Sequence, residues 1–200
     1  MKFIYIKFII IFLLFANLKA NDNLLDTIGK NKDYSNFYEL IKIANFEKLF
    51  SQDYKFKKII YLPDNKAFEA VPEKLKELIW SQDNNKLAKK IVRSHLYSDS
   101  IKSVFNDPRK KVTVIQGFEI NNEMVRIYSN SDLFVKDMVE EGKIIDNEKY
   151  TIVPVACVMF IQPSYTDDRL TNIQKDSSLI TSCCLLSDEE VIDITEEYNF

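Results

Sequence analysis

One histidine, three cysteines and three glycines in 200 residues leave few of the usual parts for enzyme chemistry. The histidine and cysteines together are too few for the common metal sites built from those ligands. Cys183 and Cys184 are adjacent and Cys157 stands apart, so no C-x-x-C metal or redox spacing exists. Three Gly and five Pro exclude collagen-like and Gly-rich low-complexity classes. There is no excess of positive charge. The formal net charge is −3, which removes a global case for nucleic-acid binding. What is present is 46% apolar and 28% charged residues. That is too apolar for a wholly disordered chain and enough for one compact domain with a core.

Residues 1–20 read MKFIYIKFIIIFLLFANLKA. Lys2 and Lys7 give a basic start, Phe8 to Ala16 is an uncharged apolar run, and Ala20 offers a small residue after an imperfect Leu18. This is the three-part layout of a secretory signal peptide cleaved near Ala20. Lys7 interrupts the roughly 20 apolar residues that a transmembrane helix needs, so an uncleaved anchor is the secondary reading. The expected location is secreted, or periplasmic and cell-envelope, with membrane contact only transient through this segment. Without it the chain has 24 basic and 30 acidic residues. The imbalance lies in residues 164–200, with nine acids and two bases, so a nearly neutral body carries an acidic tail.

Along the body, Leu24, Leu25 and Ile28 form a short helical face with Gly29 as a stop. Asp33 or Ser35 is expected to cap a helix carrying Phe37, Leu40, Ile41 and Ala44, with Asn45 breaking it. Lys58 to Leu62 reads as a buried strand ended by Pro63, with Asp64 or Asn65 capping a short helix that carries Ala67 and Phe68. Pro72 opens a further helix, and Asp83 caps the next, on which Leu87, Ile91 and His95 share a stripe. The period then shortens. Lys111–Ile115, Met124–Tyr128, Leu133–Met138 and the long apolar run Tyr150–Ile161 read as strands, with Asn121-Asn122 as a turn. Pro154 inside the last run predicts an edge or a bulge. Helices followed by strands read as α+β in a single domain. Residues 164–200 show no sustained period and read as a solvated, partly ordered tail, a partner-docking peptide being the sharper alternative. Cys157 reads as a small buried hydrophobe, and Cys183 and Cys184 as free tail thiols, with intermolecular bridges as the alternative.

Three blocks in residues 23–163 resemble a fasciclin-type domain. Ile59-Ile60-Tyr61-Leu62-Pro63-Asp64-Asn65-Lys66-Ala67-Phe68 is similar to that family's T-x-F-A-P-T-N-x-A-F block. Pro63, Asn65, Ala67 and Phe68 match it, Tyr61 keeps an aromatic, and Asp64 stands where a Thr would cap. Arg93-Ser94-His95-Leu96-Tyr97 resembles the family's Tyr-His segment, with Ser94 in place of the Tyr. Tyr150 to Pro163 resembles its closing strand. The resemblance implies a wedge-shaped β-sandwich with helices packed at one end, spanning residues 21–163 between the signal segment and the tail. It implies a non-catalytic module for adhesion to a cell-surface or extracellular protein or glycan, with no cofactor. A small-ligand or lipid carrier is the alternative.

The residues themselves favour structural roles. His95 and Ser94 are neighbours on a helix and project about 100° apart, so they do not form a nucleophile and base pair. His95 is expected to be a hydrogen-bonded structural histidine, with His95 and Tyr97 as the candidate partner-binding pair that the resemblance suggests. Asp64, Asn65 and Glu69 lack the alternating oxygens and central Gly of a calcium loop, so capping is the better account. Lys86, Lys89, Lys90 and Arg93 form a basic helix face that reads as solvated.

Overall fold

The computed structural model describes residues 23–81, 85–98, 114–120, 123–129, 138–140, 142–160 and 181–183, with 114–120 and 123–129 as backbone only. The signal segment, Asp83, residues 133–137 and all of the tail except 181–183 lie outside the described residues.

Asn23 starts α1 (Leu24–Lys30) by accepting the Asp26 N–H. The helix runs through Gly29, which is therefore not its stop. A Cβ at Gly29 would lie 2.8 Å from the Tyr38 ring, so this glycine admits a neighbour rather than ending a helix. After a 3₁₀ turn (Lys32–Tyr34), α2 spans Ser35–Ile43. Neither Asp33 nor Ser35 caps it, and its N-cap residue Tyr34 makes no side-chain cap bond. Asn45 does end it, at φ 57°. The N–H groups of Asn45 and Phe46 donate to the carbonyls of Lys42 and Ile41, the double closure of a Schellman turn.

The chain continues through α3 (Glu47–Ser51), β1 (Lys58–Pro63), α4 (Asn65–Glu69), α5 (Glu73–Ile79) and α6 (Lys86–Ser94). Asn85, not Asp83, is the N-cap residue of α6. Then come β2 (Leu96–Ser98), β3 (Val114–Ile120), β4 (Glu123–Ser129), β5 (Ile145–Asp146) and β6 (Tyr150–Val155). The strands form one mixed sheet in the order β3-β4-β2-β1-β6-β5. β1 pairs antiparallel with β2 and parallel with β6, so it is central. The architecture is α+β.

Because side chains alternate along a strand, the sheet presents two faces. Ile60, Leu62, Leu96 and Ile152 face the helices, where they join Phe37, Phe50, Phe68 and Ile91 in the main core. Ile59, Tyr61, Tyr97, Val153 and Val155 face the other way and form a smaller cluster with Met159, against which Met138, Val139 and Ile144 pack.

Two strand expectations are corrected. The hairpin is β3–β4, with Ile120 opposite Glu123 across Asn121-Asn122, so the first strand runs on past Ile115 to Ile120; residues 111–113 lie outside the described residues. The closing strand stops at Val155, and among the named strands β6 pairs at Pro154 with β1 alone, because β5 reaches only Ile152. Pro154 is tolerated because its carbonyl accepts from Glu140 N–H at 2.9 Å on the β5 side. A residue's N and O project to the same side of a strand, so the missing N–H also points there, and the β1 ladder is untouched. The Glu140 carbonyl that would have received it faces Lys143 N–H instead, at 3.5 Å.

Candidate functional site

The corner after β1 is built from its sequence step by step. Pro63 ends the strand, and Asp64 turns its carboxylate to accept the Ala67 N–H at 2.9 Å, satisfying one of the first orphan amides of α4. Asn65 reaches backwards along the chain. Its Oδ1 accepts the Asn36 N–H at 3.0 Å, and its Nδ2 donates to Lys32 O at 3.0 Å and Ser35 Oγ at 3.1 Å. The N-terminus of α2, which lacks a cap of its own, is thus capped by a residue 29 positions later. Ala67 and Phe68 point into the core, and the Phe68 ring packs against Trp80 at 5.8 Å.

His95 is the C-cap residue of α6 and is fully buried. Nδ1 donates to the Tyr61 carbonyl, and Nε2 accepts the Met159 N–H at 2.9 Å. Both ring nitrogens are therefore spent on backbone, one on β1 and one on the segment after β6. Phe37 meets the ring edge-on at 5.2 Å. Burial pushes the imidazole down to about 3, against a smaller upward pull from the Tyr61 carbonyl, so the ring is neutral. Ser94 turns away, its hydroxyl donating to Lys90 O at 3.0 Å. The arrangement holds three chain segments together and presents no activated nucleophile at this position.

Tyr97 is also fully buried, on the opposite face of the sheet, with its ring edge-on to Tyr61 at 5.5 Å. The candidate partner-binding residues His95 and Tyr97 are thus both buried in this fold, and His95 precedes β2 rather than belonging to it. The helix end is the reason. His95 is its C-cap, in helical conformation, and meets Phe37, whereas Tyr97 lies in β2 and packs on Tyr61.

Sequence reasoning missed Lys58. It is 3% exposed, at the start of β1, and its ammonium donates to the carbonyls of Leu49 at 3.2 Å, Phe50 at 2.8 Å and Gln52 at 2.7 Å. These are the last carbonyls of α3, where a cation is favoured by the helix dipole. Burial lowers this lysine to about 8, while Asp53 opposes the shift. A lysine opening an apolar strand run was the available signal.

The cysteine expectation is also corrected. Cys157 is buried, but it is disulfide-bonded to Cys183 with Cα atoms 5.6 Å apart. Thr181 and Ser182 are buried beside it. Among the described residues no cluster of His, Cys, Asp or Glu is placed to hold a metal ion, and Glu69 is exposed. On the basic face of α6, Arg93 is half-buried with its guanidinium 5.3 Å from the Phe46 ring. No helix among the described residues is long and apolar enough to cross a membrane.

No family model matches the chain. It is 26% identical over 111 residues to Stabilin-2 of Rattus norvegicus, a match covering 54% of this chain and 8% of that protein. It is 24% identical over 110 residues to Stabilin-2 of Mus musculus, covering 54% of this chain and 4% of that protein. The chain thus spans less than a tenth of the curated relatives it matches. Among solved structures it is similar to a FAS1 domain pair from the insect cell adhesion molecule fasciclin I. That likeness has a TM-score of 0.46 and 13% identity, and covers 68% of this chain and 50% of that one. By its sequence blocks this chain resembles a fasciclin-type domain.

Proposed function

We propose that the chain is an exported, non-catalytic binding module that engages a cell-surface or extracellular protein or glycan, with adhesion as its output. One observation carries this reading. The residues that make the chain resemble a fasciclin-type domain are engaged with the chain itself: Asp64 and Asn65 cap helices, Phe68 fills the core, and His95 spends both nitrogens on backbone. They build a scaffold, which leaves recognition to the surface. The Cys157–Cys183 bond supports export, since such bonds persist in oxidising compartments. The signal-like residues 1–20 support it independently. The wedge-shaped sandwich belongs to the same reading; the described strands form one sheet, with the small cluster around Tyr61 and Tyr97 on its face away from the helices.

The test is a titration of fluorescently labelled oxidised protein, residues 21–200, onto intact cells. Saturable binding that falls after the cells are treated with protease or glycosidase is expected, and the sensitive treatment tells protein from glycan. Absence of saturable binding, together with a stoichiometric lipid in solvent extracts of the purified protein, would instead favour the carrier reading.

A further inference from the structure

The tail residues Thr181, Ser182 and Cys183 are held to the body at three points. Cys183 is bonded to Cys157 across a sequence separation of 26. Ser182 donates its N–H to Val158 O at 2.8 Å, and its Oγ accepts the Val158 N–H at 2.9 Å. Thr181 pairs with Met159 as an antiparallel bridge. Thr181 and Ser182 are 2% and 3% exposed, as buried as the core, whereas Cys183 is exposed. The same short run, 157–159, is held to the sheet through the Met159 N–H and His95. It is therefore gripped by the imidazole through Met159, and by the tail through Cys157 and Val158.

We propose that Thr181–Cys183 is a redox-released strap: the disulfide decides whether these residues cover the 157–159 run, and through that run whether the His95 lock is shielded from water. The conformational entropy of three ordered residues is opposed by the Val158 hydrogen bonds, the Thr181–Met159 bridge and the covalent link, and the link is the member of that set that a reductant removes. The exposed Cys183 is the point of entry. A dithiol reductant supplies the electrons. One of its thiolates attacks the Cys183 sulfur, the Cys157–Cys183 bond breaks, and Cys157 leaves as a thiolate that takes up a proton. The second thiol of the reductant then displaces Cys183 and closes the reductant's own disulfide. The protein gains two electrons and two protons, and the Val158 N–H and carbonyl lose their tail partners.

Amide hydrogen exchange on residues 21–200, oxidised and after dithiothreitol, tests this, with alkylation of all three cysteines confirming complete reduction. Exchange at Val158 and Ser182 is expected to speed up at least tenfold more than at Tyr61, which is bonded to the His95 carbonyl within β1–β2 and reports global stability. A Cys157→Ser, Cys183→Ser variant is expected to reproduce the reduced pattern without reductant. An excess below tenfold at Val158 would overturn the strap, because the tail then stays docked without its bond. An equal acceleration at Tyr61 would overturn it too, because the disulfide would then staple the whole fold.

Discussion

A histidine that is neutral in the folded protein but free to take a proton when unfolded makes stability depend on pH. Burial depresses His95 from 6.5 to about 3, so between those values the unfolded chain binds the extra proton. Stability from this residue is complete above pH 6.5 and is lost as pH falls toward 3. At pH 4 the loss is about 3 kcal/mol. Urea unfolding at a series of pH values should show this slope, and His95→Gln should remove it while keeping an acceptor for the Met159 N–H. An identical slope in the variant would mean that the imidazole is not the titrating group. At the β1 corner, Asp64→Ala loses one cap bond and should cost about 1 kcal/mol. Asn65→Ala unties Lys32, Ser35 and Asn36 together and should cost about 2 kcal/mol in the same measurement. The reverse order would contradict the cross-chain cap.

Among the elements, Lys58 joins a strand to a helix. Replacing it by Met keeps its volume in the core but leaves the Leu49, Phe50 and Gln52 carbonyls without their ammonium donor. Lys58→Met should destabilise by about 3 kcal/mol and speed amide exchange in α3 before α2. Equal effects on both helices would show a general packing loss instead. Elements fixed by local chemistry were legible in the sequence. The strand from Lys58 to Leu62 ended by Pro63, the Asn45 break and the apolar stripe of α6 follow from period, Pro and φ preference. Features set by distant partners were not. Asn65 reads as a local cap, and only the fold brings Asn36 to it. Lys58 reads as a strand edge until α3 packs its end against it. The first strand of the hairpin reads as ending at Ile115 because Gln116 and Gly117 weaken its β signal. The Asn121-Asn122 turn had already implied that paired strands flank it directly.

For the molecule as a whole, the division of body from tail at residue 163 rested on composition, since nine acids follow Ser164 and no period continues. Composition records average solvation and is blind to three residues that dock. Thr181 and Ser182 are buried, and Cys183 closes a covalent loop back to Cys157. A chain ending at 163 would leave the Val158 N–H and carbonyl without tail partners and Cys157 as a lone thiol. Loss of the loop constraint alone is worth about 3 kcal/mol in the chain-entropy account. For a protein of this size that lowers Tm by about 10 °C. Calorimetry on residues 21–163 and 21–200 under oxidising conditions checks it. If the two melt together, the acidic tail is an appendage and the compositional boundary stands. If the shorter chain melts early, and reduction of the longer one moves it toward the same Tm, the folded unit extends through Cys183. A surface for recognition would then be shaped in part by the tail that charge alone assigns to solvent.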